Sequence, residues 1–140
     1  QAAIWHTKSA EQGSAKAQHS LGYMYETGQG VPQDYKQAVI WYQKAAEQGH
    51  SIALSLLGIL YVEGKGVPQN YKVAYILLNL AASQGGDSGV INSAIELRNN
   101  ILNSKKITPT DIEDAQSIST RLYNSKNFAA ELRELLNSQK

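Results

Sequence analysis

Between Ala17 and Gly49 the sequence runs AQHSLGYMYETGQGVPQDYKQAVIWYQKAAEQG, and almost every chemically constrained residue in it returns thirty-six positions later. Leu21 and Gly22 recur as Leu57 and Gly58, and Tyr25 recurs as Tyr61. The loop Gly28-Gln-Gly30-Val31-Pro32-Gln33 returns as Gly64-Lys-Gly66-Val67-Pro68-Gln69, and Asp34-Tyr35-Lys36 as Asn70-Tyr71-Lys72. Ala46, Gln48 and Gly49 return as Ala82, Gln84 and Gly85. Self-similarity at a fixed period of roughly 20–50 residues is the mark of a solenoid or array. Run backwards, the same register places Ala2, Trp5, Lys8, Ala10, Gln12 and Gly13 where Ala38, Trp41, Lys44, Ala46, Gln48 and Gly49 stand. Residues 2–12 therefore read as the second helix of a repeat whose first helix is absent. Such a helix, carrying Trp5, wants a neighbour on its N-terminal side, either the rest of a longer array or a self-association partner.

Each full repeat reads as two helices. The first starts near Ser14 and ends at Thr27, with Ala17, Leu21, Gly22 and Tyr25 at helical spacing. Gly28 suits the left-handed residue that closes a helix. Val31 precedes Pro32 and is held extended. Asp34 fits an N-cap, with Gln37 three positions on to complete a capping box. The second helix presents Tyr35, Ala38, Tyr42, Ala45 and Ala46 on one stripe and ends at Gly49. The next repeat follows the same plan, with Asn70 as cap and a more apolar second helix from Ala74 to Ala82.

After Gly85 the pattern decays. Asp87 can cap a helix that runs to about Asn103, in which Ala94 takes the place of Gly58 and Leu97 that of Tyr61. Thr108-Pro109-Thr110-Asp111 is a helix start, with threonine as N-cap, proline at N1 and an acid at N3. Ile112, Ala115, Ile118 and Leu122 make the stripe of a helix to about Asn124. Phe128, Leu132, Leu135 and Leu136 make that of a last segment, continuous with it or broken at Asn124-Ser125. The expected division is thus a truncated repeat at 1–13, full repeats at 14–49 and 50–85, and a degenerate repeat with capping helices at 86–140, in one domain.

Composition narrows the chemistry. Thirteen basic against twelve acidic side chains leave a formal charge of +1, so no net-charge argument favours nucleic acid or an anionic membrane. No apolar run approaches the ~18 residues needed to span a bilayer. There are no cysteines, which removes thiolate metal sites and cysteine nucleophiles. His6, His19 and His50 lack the i, i+4 spacing of a zinc motif, and no metal or other cofactor is expected. Gly28-Gln-Gly30 and Gly64-Lys-Gly66 have no preceding strand and lack Gly-Lys-Ser/Thr, so they are turns rather than phosphate loops. Tyr35, Tyr42, Tyr61 and Tyr71 read as packing aromatics.

The recurring residues resemble the Sel1-like repeat, a relative of the tetratricopeptide repeat. Its pattern is met by Ala17, Leu21, Gly22, Tyr25, Gly28, Gly30, Val31, Asp34, Ala38, Trp41, Ala45, Ala46 and Gly49. The second copy departs at Asn70, Leu77 and Leu80, and the tail beyond about residue 98 matches only loosely. The resemblance implies an all-α, right-handed solenoid of antiparallel helix pairs whose concave face holds other proteins or peptides without catalysis. Similar proteins are adaptors, many of them exported from bacteria. A cysteine-rich branch is linked to penicillin binding, which suggests an activity on cell-wall material or β-lactams as an alternative. A structural segment of a longer scaffold is another.

In tetratricopeptide arrays the first helix of each repeat lines the concave face. The same placement here turns Lys16, His19, Tyr23 and Glu26 inward, then Ile52, Ser55, Ile59 and Val62, then Ser88, Ile91, Ile95 and Arg98. Ile52, Ile59, Val62, Ile91 and Ile95 would form a contiguous apolar strip. That strip is a groove for an amphipathic or extended peptide, a bed for the chain's own Phe128-to-Leu136 segment, or in part ordinary core. His19, Tyr23 and Glu26 share a helix face. With no nucleophile or second carboxylate beside them they read as a polar contact surface rather than a general base with its orienting acid.

Overall fold

The computed structural model describes residues 2–84 and 88–138, and the expected cap Asp87 lies outside them. The described helices are α1 (Ala2–Glu11), α2 (Ala15–Thr27), α3 (Tyr35–Ala46), α4 (Ser51–Glu63), α5 (Tyr71–Gln84), α6 (Ser88–Asn103), α7 (Pro109–Asn124) and α8 (Phe128–Asn137). No strand occurs among the described residues. From α1 to α6 each helix packs on the next. This is an all-α solenoid of antiparallel helix pairs.

The turn between paired helices explains the recurring glycines. Gly28 closes α2 at φ 73°, its N–H donating to Met24 O, and the Gln29 N–H returns to the same carbonyl at 3.0 Å. Gly64 at φ 68° and Lys65 repeat this on Leu60. These bonds satisfy carbonyls that a helix end leaves without partners. Gln33 then reaches back to donate to Glu26 O at 2.8 Å, and Gln69 does the same to Val62 O at 2.7 Å. The Asp34 carboxylate accepts from the N–H groups of Lys36 and Gln37. The expected reciprocal half of the capping box is not used there, because the Asp34 N–H already donates to Tyr25 O at 2.9 Å. Asn70 repeats both roles, donating to Tyr61 O and accepting from the Val73 N–H.

Successive repeats are joined by amides. Buried Gln18 donates to Ala10 O at 3.1 Å, and Gln48 donates both to Gln18 Oε1 and to Gly13 O at 2.8 Å. The apolar core runs from Ala38 through the fully buried Leu54, Leu57, Leu77 and Leu78 to Leu122, Leu132 and Leu136. A smaller cluster of Ala10, Ala17 and Leu21 sits at the N-terminal end, with Trp41 packed against it. Trp5, at the corresponding position one repeat earlier, is 70% exposed.

The C-terminal third departs from the plan. α6 packs on α5 and touches α4, as a third first-helix should. α7 does not close on α6 but lies along α5, in parallel. Lys72 pairs with Asp114 at 3.4 Å, Tyr75 OH accepts from Gln116 at 3.3 Å, and Asn79 donates to Ser119 Oγ at 3.4 Å. The chain breaks at Ser125, which is extended (ψ 137°). α8 then turns back toward the end of α3, where Arg133 Nη2 and Nε both donate to Glu47 Oε1, at 2.7 and 3.1 Å. Thus α7 lies on the second helix α5, while α8 packs on α7 and is tied to the end of α3 by the Arg133–Glu47 pair.

Candidate functional site

The face carried by the first helices of the repeats is polar at one end and apolar at the other. On α2, Lys16 is exposed and Tyr23 is 47% exposed. His19 and Glu26 are half-buried because both lean on Tyr42, a ring with no exposed surface. Tyr42 OH donates to Glu26 Oε1 at 2.7 Å, and the His19 ring stacks on Tyr42 with centroids 6.3 Å apart. Burial, first, and then the Glu26 carboxylate push the Tyr42 phenol well above its usual pKa, so it serves as a fixed donor. The shared face expected for His19, Tyr23 and Glu26 is present, but His19 and Glu26 meet through Tyr42. No acid–base pair forms between them.

His19 has a second neighbour that sequence spacing did not disclose. The His50 ring, thirty-one residues away, stands 5.2 Å from it. Burial lowers the pKa of both imidazoles, and in His19 the adjacent His50 adds to the effect. Among the described residues no cluster of three or more His, Cys, Asp or Glu could hold a metal ion.

Along α4 and α6 the lining turns apolar. Ile52, Ile59, Ile91 and Ile95 are half-buried and pack outside the main core cluster. Val62, expected beside them, packs against that cluster and belongs in part to the core. Ser55 is only 7% exposed and offers little contact area. Arg98 does not extend the lining as an unengaged cation, since its Nη1 donates to Asn79 Oδ1 at 2.9 Å and so joins the α5–α7 seam. The terminal segment, considered above as a cover for the isoleucines, packs elsewhere. Phe128, Leu132 and Leu136 join the main core cluster, and Arg133 of α8 is held at Glu47. Side-chain orientations on Ser88 lie outside the description.

The comparisons with known proteins agree with this architecture. A family model described as Sel1 repeat matches residues 1–14, 15–50 and 51–86. The chain is similar to a Sel1 repeat protein from Oxalobacter formigenes, with a TM-score of 0.63 and 33% identity over 69% of each chain. It is also similar to c5321, a protective antigen present in uropathogenic Escherichia coli strains and displaying an SLR fold. There the TM-score is 0.78 and the identity 32%, over 99% of this chain and 28% of the antigen. No curated protein matches.

Proposed function

Because the chain belongs to the Sel1 repeat family, whose members are generally protein–protein interaction modules, we propose that it binds a protein or peptide on its concave, first-helix face without catalysing a reaction. The observation that carries this reading is the row of Ile52, Ile59, Ile91 and Ile95. These side chains stand off the core on touching helices, and exposed Tyr23 lies on the next first-helix along. Apolar surface of this kind is removed from water when an amphipathic helix or an extended peptide lies on it, at roughly 25 cal/mol per Å². Tyr23 and Lys16 at the polar end would fix direction and register. Among the described residues no helix is long and apolar enough to cross a membrane, and the near-neutral charge gives nucleic acid no electrostatic footing.

The test compares partner capture by the wild type, by Ile59→Glu and by Ile40→Glu. Ile40 is 44% exposed on α3, the opposite layer. Ile59→Glu should lose the partner while melting within a few degrees of the wild type, and Ile40→Glu should keep it. Equal loss from both, or a collapsed melt for Ile59→Glu, would sink the reading.

A further inference from the structure

His50 is an odd residue for its place. It stands one repeat after Ser14, which caps α2 by accepting from the Ala17 N–H at 3.2 Å. His50 occupies the N-cap of α4 but makes no side-chain cap bond. Its Nε2 is also buried without a hydrogen-bond partner. A serine, aspartate or asparagine there would satisfy an orphan helix N–H that histidine leaves unmet. What His50 does touch is His19, with ring centroids 5.2 Å apart across the joint between the first and second repeats. His19 in turn lies on the buried Tyr42 ring. The polar capping bond has been exchanged for an imidazole pair.

We propose that the His19–His50 contact is an acid-operated joint. With both rings neutral the first repeat closes on α4, and with both protonated the two helices are driven apart at that end. The repulsion is built into the geometry: two cations 5.2 Å apart, one of them with a nitrogen that water does not reach. Burial already disfavours the charged form of both rings, and in His19 the nearness of His50 adds to it.

Among the described residues no carboxylate pairs with either ring to offset this. From α2, Lys16 would add a further positive charge, and Glu26 is bonded through Oε1 to the Tyr42 hydroxyl rather than to an imidazole. From α3, besides Tyr42, Glu47 is taken up by Arg133 on Oε1 and by Gln43 on Oε2. The first two turns of α4, from Ser51 to Ile59, hold no titratable side chain. Opening the joint returns both rings to water and relieves the repulsion. In the register of the second joint, Ser55 and Gly86 replace His19 and His50, so the response is confined to the first. The inference concerns the chain alone and does not depend on what the groove binds.

The chain contains no cysteine, so spin labels can be placed at Gln12→Cys and Glu96→Cys, both exposed sites on either side of the joint. Distance distributions would be recorded at pH 7.5 and pH 5. The expected result is a longer-distance population that appears in acid and is absent from a His19→Gln, His50→Gln variant. NMR titration of the two imidazoles in the wild type is the second measurement, and it requires no variant to fold. Both rings should titrate below pH 6.5, with the Tyr42 ring signals moving at the same midpoints. An unchanged distance distribution at pH 5, an equal response from the double variant, or an imidazole titrating above 6.5 would overturn the proposal.

Discussion

A methyl group added at Gly22 would sit 2.6 Å from Tyr42 Cδ1 and 2.7 Å from Cε1, closer than packed atoms allow. Tyr42 is fully buried, with its hydroxyl bonded to Glu26, and cannot swing aside. At the equivalent Gly58 the obstacle is the end of Leu78, with Cδ2 and Cγ at 3.2 Å, and a leucine can adjust. Gly22→Ala is therefore expected to cost about 1–3 kcal/mol in urea unfolding, and Gly58→Ala under about 1 kcal/mol. Equal costs would mean that the Tyr42 ring is not fixed. Both glycines stood out in the sequence because they recur at one register position. The contacts that make them unequal were not legible. Tyr42 and Glu26 are replaced by Leu78 and Val62 in the second copy, and a pattern found by recurrence is blind to positions that do not recur. The His19–His50 contact escaped for the same reason.

The helices themselves could be read closely, since their ends are marked by residues with a local physical task. Thr108 caps α7 by accepting from the Asp111 N–H at 3.1 Å, as its spacing from Pro109 and Asp111 implies. Asn70→Ala should cost about 1 kcal/mol by removing the acceptor for Val73, with exchange of the first-turn amides of α5 reporting the loss. What local sequence could not supply was the partner of each late helix. α7 has a well-formed apolar stripe, but it lies on α5 rather than α6: Ala115 and Leu122 enter the main core cluster there, and Asp114, Gln116 and Ser119 meet Lys72, Tyr75 and Asn79. α8 depends on contacts still more distant in sequence. Arg133→Ala should raise amide exchange through α8 while leaving α2 and α3 protected, and uniform loss of protection would show that the Arg133–Glu47 pair steadies the whole array rather than α8 alone.

For the molecule as a whole, the two buried imidazoles set the sign of a pH dependence. Their pKa values in the folded chain lie below the ordinary 6.5, so the unfolded chain binds more protons as the solution is acidified. Their contribution to stability is complete above pH 6.5 and is lost as pH falls through the folded values. Urea midpoints for the wild type should drop between pH 7 and pH 5 by more than those of the His19→Gln, His50→Gln variant, and parallel curves would contradict the assignment. The solenoid was visible in the sequence because each joint between helices α1 to α5 is made of neighbours along the chain. The direction in which the two terminal helices fold back was invisible, because it is settled by residues far apart.

The Arg133–Glu47 pair, eighty-six residues apart in sequence, has a consequence for how such an array can grow. Terminal helix α8 does not rest on the last complete repeat alone but reaches the one before it. A duplicate of the first repeat, spliced in upstream, would leave the original Glu47 where it stands and the clasp intact. A duplicate of the second, spliced in downstream, would present Ser83 where Arg133 meets a carboxylate. Lengthening is thus neutral at one end and penalised at the other, and the clasp gives the array a direction of growth.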